Sequence, residues 1–287
     1  MSTLKKITFD DPNYPSLLKQ IFEPPKELYI LGNLKKEEKN PLAVVGTRLP
    51  SSYGKMVASS MVKELASRGI TIISGLALGI DGISHQACLE AGGKTIAVFG
   101  CGLDIIYPYC HKKLAEEIVK KGGALISEYP PGTKPDKWQF PARNRIIAGL
   151  SQATLVIEAP KKSGALITAF YALNEGRDVL SVPGEINKKN SEGTNNLIKL
   201  GAKPVTTSQD VLEVFNITGE KKLKEIKADS KEEEILLNLL AKGEPIHIDK
   251  LIKLSKLSSP VVLSTLTVME INKKIKNLGQ GFYSLYL

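Results

Sequence analysis

The sequence predicts an α/β protein: a doubly wound, mainly parallel sheet followed by a small domain of three helices and a terminal hairpin. Three observations carry that reading. Short apolar, β-branched runs end repeatedly in glycine or another small residue, as buried parallel strands do before a turn. Helical stretches with one apolar stripe separate them, and a strand–helix–strand unit of this length obliges parallel pairing. After Phe215 the chain turns charged, then carries closely spaced helical segments, a shift that marks a linker and a second domain.

Residues 1–40 read as a short N-terminal extension. Pro15, Pro24 and Pro25 interrupt its apolar pieces, Leu28–Leu31 reads as a short strand, and Lys35–Asn40 is a charged loop. The rest of the chain is organised around the stretch Leu42–His85. Leu42–Val45 is an apolar strand ending at Gly46, and Tyr53–Ser67 places Val57, Met61 and Leu65 on one helical stripe. Gly69 stops that helix and Ile70–Ile73 is the next strand. Further strands are expected at Lys94–Phe99, Ala124–Glu128, Thr154–Glu158 and Asp178–Val182, with helices at Leu114–Lys120, Arg143–Leu150 and Ala165–Glu175. This alternation defines a doubly wound domain over 41–217.

Residues 218–231 are dominated by Lys, Glu and Asp and read as a linker or solvated helix. In 232–287, helices are expected at Glu232–Lys242 and Ile248–Leu254, and a third begins at Ser258-Ser259-Pro260 and runs to Ile271. Gly279-Gln280-Gly281 then turns into the alternating strand Phe282–Tyr286, which completes a winged helix-turn-helix pattern.

The chain has 287 residues, 42% of them hydrophobic, and a formal charge of +9. The length permits a full core, and the charge suits a polyanionic partner as well as it suits a merely soluble basic protein. Cys88, Cys101 and Cys110 have no C-x-x-C spacing, which favours reduced thiols in the cytoplasm over a disulfide scaffold or a zinc site. No apolar segment follows Met1-Ser2-Thr3-Leu4-Lys5-Lys6, so no signal peptide is expected, and no apolar run is long enough to cross a membrane. Neither G-x-G-x-x-G nor G-x-x-x-x-G-K-[ST] occurs, so dinucleotide and P-loop cofactors lose support and none is expected.

Candidate binding residues cluster where strands end. Turns there leave backbone N–H groups free at the carboxyl edge of a sheet, where helix dipoles favour an anion. Gly46, Thr47 and Arg48 form the first such exit, and Arg48 adds a planar cationic fork. Ser74 and Gly75 form the second; Asp81 reads there as a helix N-cap, the alternative being an acid or metal ligand, and His85 as its structural partner. Lys134, Lys137, Trp138, Phe140, Arg143 and Arg145 interleave cations with aromatics, as an unpaired nucleic-acid strand requires, although either aromatic is equally a buried anchor. Two arginines and Asn144 near a helix start oppose its dipole unless an anion lies between them. Lys162, Ser163, Gly164 and Thr168 make a further anion nest after the fifth strand. No G-x-S-x-G elbow accompanies Ser163, and no catalytic residue or metal ligand is assigned.

Taken in order, these strings resemble the DNA-processing protein A (DprA/Smf) family. The resemblance rests on Val45-Gly46-Thr47-Arg48, Ser74-Gly75-Leu76-Ala77 with Gly79-Ile80-Asp81 and His85, Tyr107-Pro108, Ser127-Glu128-Tyr129-Pro130 and Phe140–Ile147. It continues through Glu158, Ser163–Thr168, Arg177, Val182-Pro183-Gly184 and Gly193-Thr194-Asn195, covering Tyr14–Val211 and more weakly the tail. It implies an extended Rossmann fold that binds single-stranded DNA without catalysis, dimerises, protects incoming DNA and helps load the RecA recombinase during natural transformation. By position, Arg48 is then the phosphate-contacting arginine, Lys137, Phe140, Arg143 and Asn144 belong to the pocket loop, and Gly164 and Thr168 to the opposite lip. Ser84 and Gln86 flank His85 where the family more often has Ala and Gly, and the N-terminal helical domain of many members has no counterpart here.

A rival reading is a nucleotide phosphohydrolase of a related fold, with Glu158 or Asp81 as base. In the tail, Ser258–Ile271 is poor in Arg and Gln, so sequence-specific duplex reading is not expected and a protein-contact or weak duplex-binding role fits better.

Overall fold

The computed structural model describes residues 3–217, 228–241, 245–272 and 274–285. Contacts divide the chain into two units, Met1–Thr218 and Gly219–Leu287.

The first unit is built on a nine-stranded sheet. In chain order its strands are β1 (Lys5–Thr8), β2 (Glu27–Gly32), β3 (Pro41–Val45), β4 (Thr71–Ser74), β5 (Thr95–Phe99), β6 (Ala124–Ser127), β7 (Ala153–Val156), β8 (Asp178–Ser181) and β9 (Lys203–Pro204). They lie in the order β1-β2-β6-β5-β4-β3-β7-β8-β9. From β6 to β9 every neighbouring pair is parallel. The helices are α1 (Ser16–Lys19), α2 (Ser52–Ser67), α3 (Ile80–Glu90), α4 (Lys112–Lys120), α5 (Gln139–Gly149), α6 (Gly164–Asn174), α7 (Glu192–Lys199) and α8 (Ser208–Val214).

The period-2 geometry of strands sends alternate side chains to opposite faces, and β3 shows the result. Its five residues are all buried: Leu42 and Val44 join a cluster with Ala58, Val62 and Leu65 of α2, while Ala43 and Val45 join one with Ile146 and Ile147 of α5 and Ala169 of α6. A strand covered on both faces has to be apolar throughout, and this one is.

The first forty residues, set apart as an extension by their prolines, supply β1 and β2 to this same sheet. β2 pairs antiparallel with β6 and with β1. Tyr14, Leu18, Ile21, Leu28 and Ile30 are buried in the cluster that holds α5. The Tyr14 hydroxyl donates to the Pro25 carbonyl at 2.7 Å, so the proline pair terminates a packed corner and not a free arm.

β3 is the point where strand order reverses. The chain leaves it through α2 towards β4 on one side, and β7 lies on its other side. In open α/β sheets the crevice outside the carboxyl ends of such strands is where ligands bind.

The second unit has α9 (Lys231–Leu240), β10 (Ile246–His247), α10 (Ile248–Ser255), α11 (Ser259–Ile271), β11 (Ile275–Gly279) and β12 (Phe282–Leu285). β10, β12 and β11 form an antiparallel sheet beside the helices, the arrangement of a winged helix. Leu236, Leu240, Leu251, Val262, Leu266, Met269 and Ile275 fill its core. The expected linker at 218–231 falls largely outside the described residues, as do Lys242 and Tyr286. Among the described residues no single helix is long and apolar enough to cross a membrane.

Candidate nucleic-acid interface

The crevice at the reversal point is a cleft of about 610 Å³. Three strand exits build it. Gly46, Thr47, Arg48 and Leu49 follow β3, Lys162, Ser163, Gly164 and Thr168 follow β7, and Lys137, Phe140, Arg143 and Asn144 come from the loop and first turns after β6. Leu49 aside, all eleven of these are binding candidates in the sequence. Ser74, Gly75 and Lys134 do not line the cleft.

Local chemistry explains why the chain presents Arg48. The Thr47 N–H donates to the Glu158 carbonyl at 2.7 Å, and Thr47 Oγ1 accepts from the Leu49 N–H at 3.2 Å. Both polar groups of Thr47 are therefore engaged internally, and the turn they fix leaves Arg48 and Leu49 exposed. The Arg48 guanidinium lies over the Phe140 ring, 5.8 Å from its centroid. Tyr107 stacks on the same ring with a centroid separation of 5.5 Å and a 31° tilt. Tyr107 lines the cleft although the sequence reading assigned it no site role; its Tyr-Pro dipeptide shortly after a small-residue strand exit was the available signal.

On the facing lip, Ser163 caps α6 by accepting from the Ala165 N–H at 3.3 Å. Gly164 opens that helix, so its N–H has no intrahelical partner. Asn144 Nδ2 donates to the Gly164 carbonyl at 3.1 Å and ties the two lips together. Thr168, one turn in, lies buried at the cleft floor. Arg48, Lys137 and Lys162 are exposed at the rim, and none forms an ion pair among the described residues.

The two arginines of α5 behave otherwise than a helix-start anion site requires. Arg143 is only 4% exposed; it donates to the Gly75 carbonyl at 2.9 Å and to the Val98 carbonyl, and its Nε reaches Asn144 Oδ1 at 3.3 Å. Burial pushes its pKa down to about 10, opposed by neighbouring Asp81. Arg145 forms a two-pronged pair with Glu128 at 2.9 and 2.6 Å and donates to the Glu23 carbonyl. Both cations hold the scaffold. Trp138 is exposed, edge-on to Tyr129 at 6.0 Å, and lies outside the cleft.

The second strand exit lies beneath the three that build the cleft and reaches it through Ala77 and Asp81. The Ser74 hydroxyl donates to the Val44 carbonyl at 2.6 Å. The N-cap of α3 is Gly79, whose φ of +79° leaves no room for a side chain against the Thr47 carbonyl and Arg48 backbone. Asp81 is thus not the cap; its carboxylate accepts the Gly75 N–H at 3.1 Å, and burial pushes its pKa up. His85 is not its partner either. Its Nδ1 meets Thr95 Oγ1 at 2.7 Å, and burial drives its pKa down to about 3.

Glu158 is committed to α2. Its carboxylate accepts the Ser51 N–H at 2.9 Å and the Ser51 hydroxyl at 2.5 Å, at the positive end of that helix.

Comparison with known proteins agrees with this architecture. The family described as DNA recombination-mediator protein A matches residues 5–216, and the DprA winged helix domain matches residues 221–281. Protein Smf of Synechocystis sp. is 48% identical over 210 residues, covering 72% of this chain and 52% of its own length. DNA processing protein DprA of Bacillus subtilis is 43% identical over 211 residues, 73% of this chain and 71% of that protein. The chain thus spans about half the length of one curated relative and under three quarters of the other. Among solved structures, DprA from Streptococcus pneumoniae superposes with a TM-score of 0.68 at 44% identity, covering 74% of each chain. DprA from Helicobacter pylori, whose description concerns a single-stranded DNA binding mode, superposes with a TM-score of 0.66 at 32% identity over 75% of this chain and 98% of that one. On these matches the chain belongs to the DNA recombination-mediator protein A family, whose relatives carry the names DprA and Smf.

Proposed function

We propose that this protein binds single-stranded DNA in the cleft at the β3 reversal point, without reading its sequence and without chemical change to it. One observation carries the reading: three exposed cations without an ion pair among the described residues, Arg48, Lys137 and Lys162, line the cleft together with a stacked aromatic pair, Phe140 and Tyr107. Cations suit phosphates, and flat faces suit bases that have no pairing partner. The named binding mode of the Helicobacter relative supports the same ligand. We further propose that the bound strand is protected and delivered to the RecA recombinase in homologous recombination and natural transformation, that the protein works as a homodimer, and that it does so in the cytoplasm.

The deciding experiment is anisotropy with labelled homopolymeric single strands and a matched duplex, for the full chain and for Arg48→Ala. Single strands are expected to bind more tightly than duplex, and all sequences are expected to weaken alike in the variant. The slope of log affinity against log salt should fall in magnitude by about 0.7 when the phosphate contact is lost. Equal binding of duplex, or an unaffected variant, overturns the proposal. The phosphohydrolase alternative has less to stand on: Glu158 is held by Ser51, and Asp81 by the Gly75 amide, both as structural acceptors.

A further inference from the structure

A second cleft of about 760 Å³ adjoins the first, and Arg48 and Leu49 line both. Its walls are α2, α3 and α4, which follow the adjacent parallel strands β3, β4 and β5. Their N-terminal turns therefore share the carboxyl edge of the sheet with the first cleft. Lys55 lies in the first turn of α2 and Lys113 in the first turn of α4. Both are exposed and neither forms an ion pair among the described residues. Between them the floor is the first turn of α3, where Gly82 leaves space filled by the His111 ring. The acids stand further along the helices. Glu90 is the last residue of α3 and is paired with Lys63 at 2.7 Å, and Glu117 is one turn past Lys113. The unpaired lysines of the groove thus stand in the helical turns at the sheet edge that also carries Arg48, and its acids stand farther along the helices, Glu90 already neutralised by Lys63.

We infer that the trough is continuous: a single strand leaving the first cleft crosses Arg48 and Leu49 and lays further phosphates along the rim at Lys55 and Lys113. Gly79 closes the floor of the crossing, because its backbone packs directly under the Thr47 carbonyl and Arg48. Leu49, 83% exposed, stands at the crossing as an apolar surface for a base. This inference rests on the proposed single-strand function and extends its footprint to a second subsite.

The test compares single strands of about 4 and about 16 nucleotides, the span of site sizes for single-strand binding folds. The full chain is measured as wild type, as Lys55→Gln/Lys113→Gln, and as Lys26→Gln/Lys35→Gln, which removes equal charge at exposed lysines outside both clefts. The first double variant is expected to bind the short strand as wild type does. It should lose about five- to ten-fold with the long one, its salt slope falling in magnitude by about 1.4 for two lost contacts. The control pair should change neither. An unchanged long-strand affinity, an equal loss at both lengths, or an equal loss in the control pair overturns the second subsite. In those three outcomes wild type still binds the short strand and the first cleft stands; failure of wild type to bind either strand removes both proposals together.

Discussion

The guanidinium of Arg48 and the ring of Phe140 face each other at 5.8 Å, with Tyr107 stacked on the same ring. A phosphate grip and a base platform are thereby held at one spacing. Phe140→Ala should weaken single-strand binding by about 1–3 kcal/mol through lost stacking. Its salt slope should stay at the wild-type value, whereas Arg48→Ala lowers it. A double-mutant cycle on folding stability should return about 0.5–1 kcal/mol of coupling, the worth of an exposed cation–π contact that is already present without DNA. Anisotropy at several salt concentrations reads the affinity and the slope, and urea midpoints read the coupling.

Arg143 makes the opposite prediction. Its guanidinium satisfies the Gly75 and Val98 carbonyls beneath the cleft and neighbours buried Asp81. Arg143→Gln removes that support and leaves Asp81 uncompensated, which should cost about 3–5 kcal/mol of stability. Adding Asp81→Asn should recover part of the loss, since the orphaned charge is then gone. Urea midpoints measure both. A variant that unfolds at the wild-type midpoint and loses only DNA binding would make Arg143 a phosphate ligand.

The contrast between Arg48 and Arg143 shows what the sequence conveyed. Strand exits, their order and the parallel sheet were readable because apolar runs and small-residue turns are local signals. Which arginine faces outward was not, since that depends on carbonyls some 45 to 68 residues away. Asp81 misled for the same reason: an acid at a helix start looks like a cap, and only the backbone of Gly79 reveals that the cap lies two residues earlier. β2 was legible as the run Leu28–Leu31, whereas β1 was obscured among the prolines that turn a packed corner, and β9 by having only two residues.

His85 sets an acid limit on stability. Its ring is buried, and among the described residues Nε2 has no hydrogen-bond partner. The folded pKa, about 3, lies below the ordinary value of 6.5, so the unfolded chain binds the proton more readily. Stability from this group is complete above 6.5 and is lost as pH falls from there towards 3, at about 1.4 kcal/mol per pH unit. Moving from pH 7 to pH 5 should therefore cost about 2 kcal/mol. His85→Gln should be less stable than wild type at pH 7 but should lack most of that decline. Equal slopes in the two proteins by chemical denaturation would place the titration elsewhere.

Glu158 links the phosphate loop to the helix after it. Its carbonyl takes the Thr47 N–H and its carboxylate takes Ser51, so the residues between, Arg48 included, are suspended from one side chain and its own backbone. Gly54 is the space that this requires, because a Cβ there would collide with the carboxylate. Glu158→Gln keeps the shape and removes the charge at the α2 N-terminus, which should cost about 1–2 kcal/mol. For a unit of this size, that lowers the melting temperature by about 2–4 °C per kcal/mol. DNA affinity should fall with it while the salt slope stays unchanged, since Arg48 is displaced but not removed. Gly54→Ala should reproduce both effects with the carboxylate intact. Release of phosphate from nucleoside monophosphates by wild type, abolished in Glu158→Gln, would instead make the carboxylate a catalytic base and defeat this account of the loop.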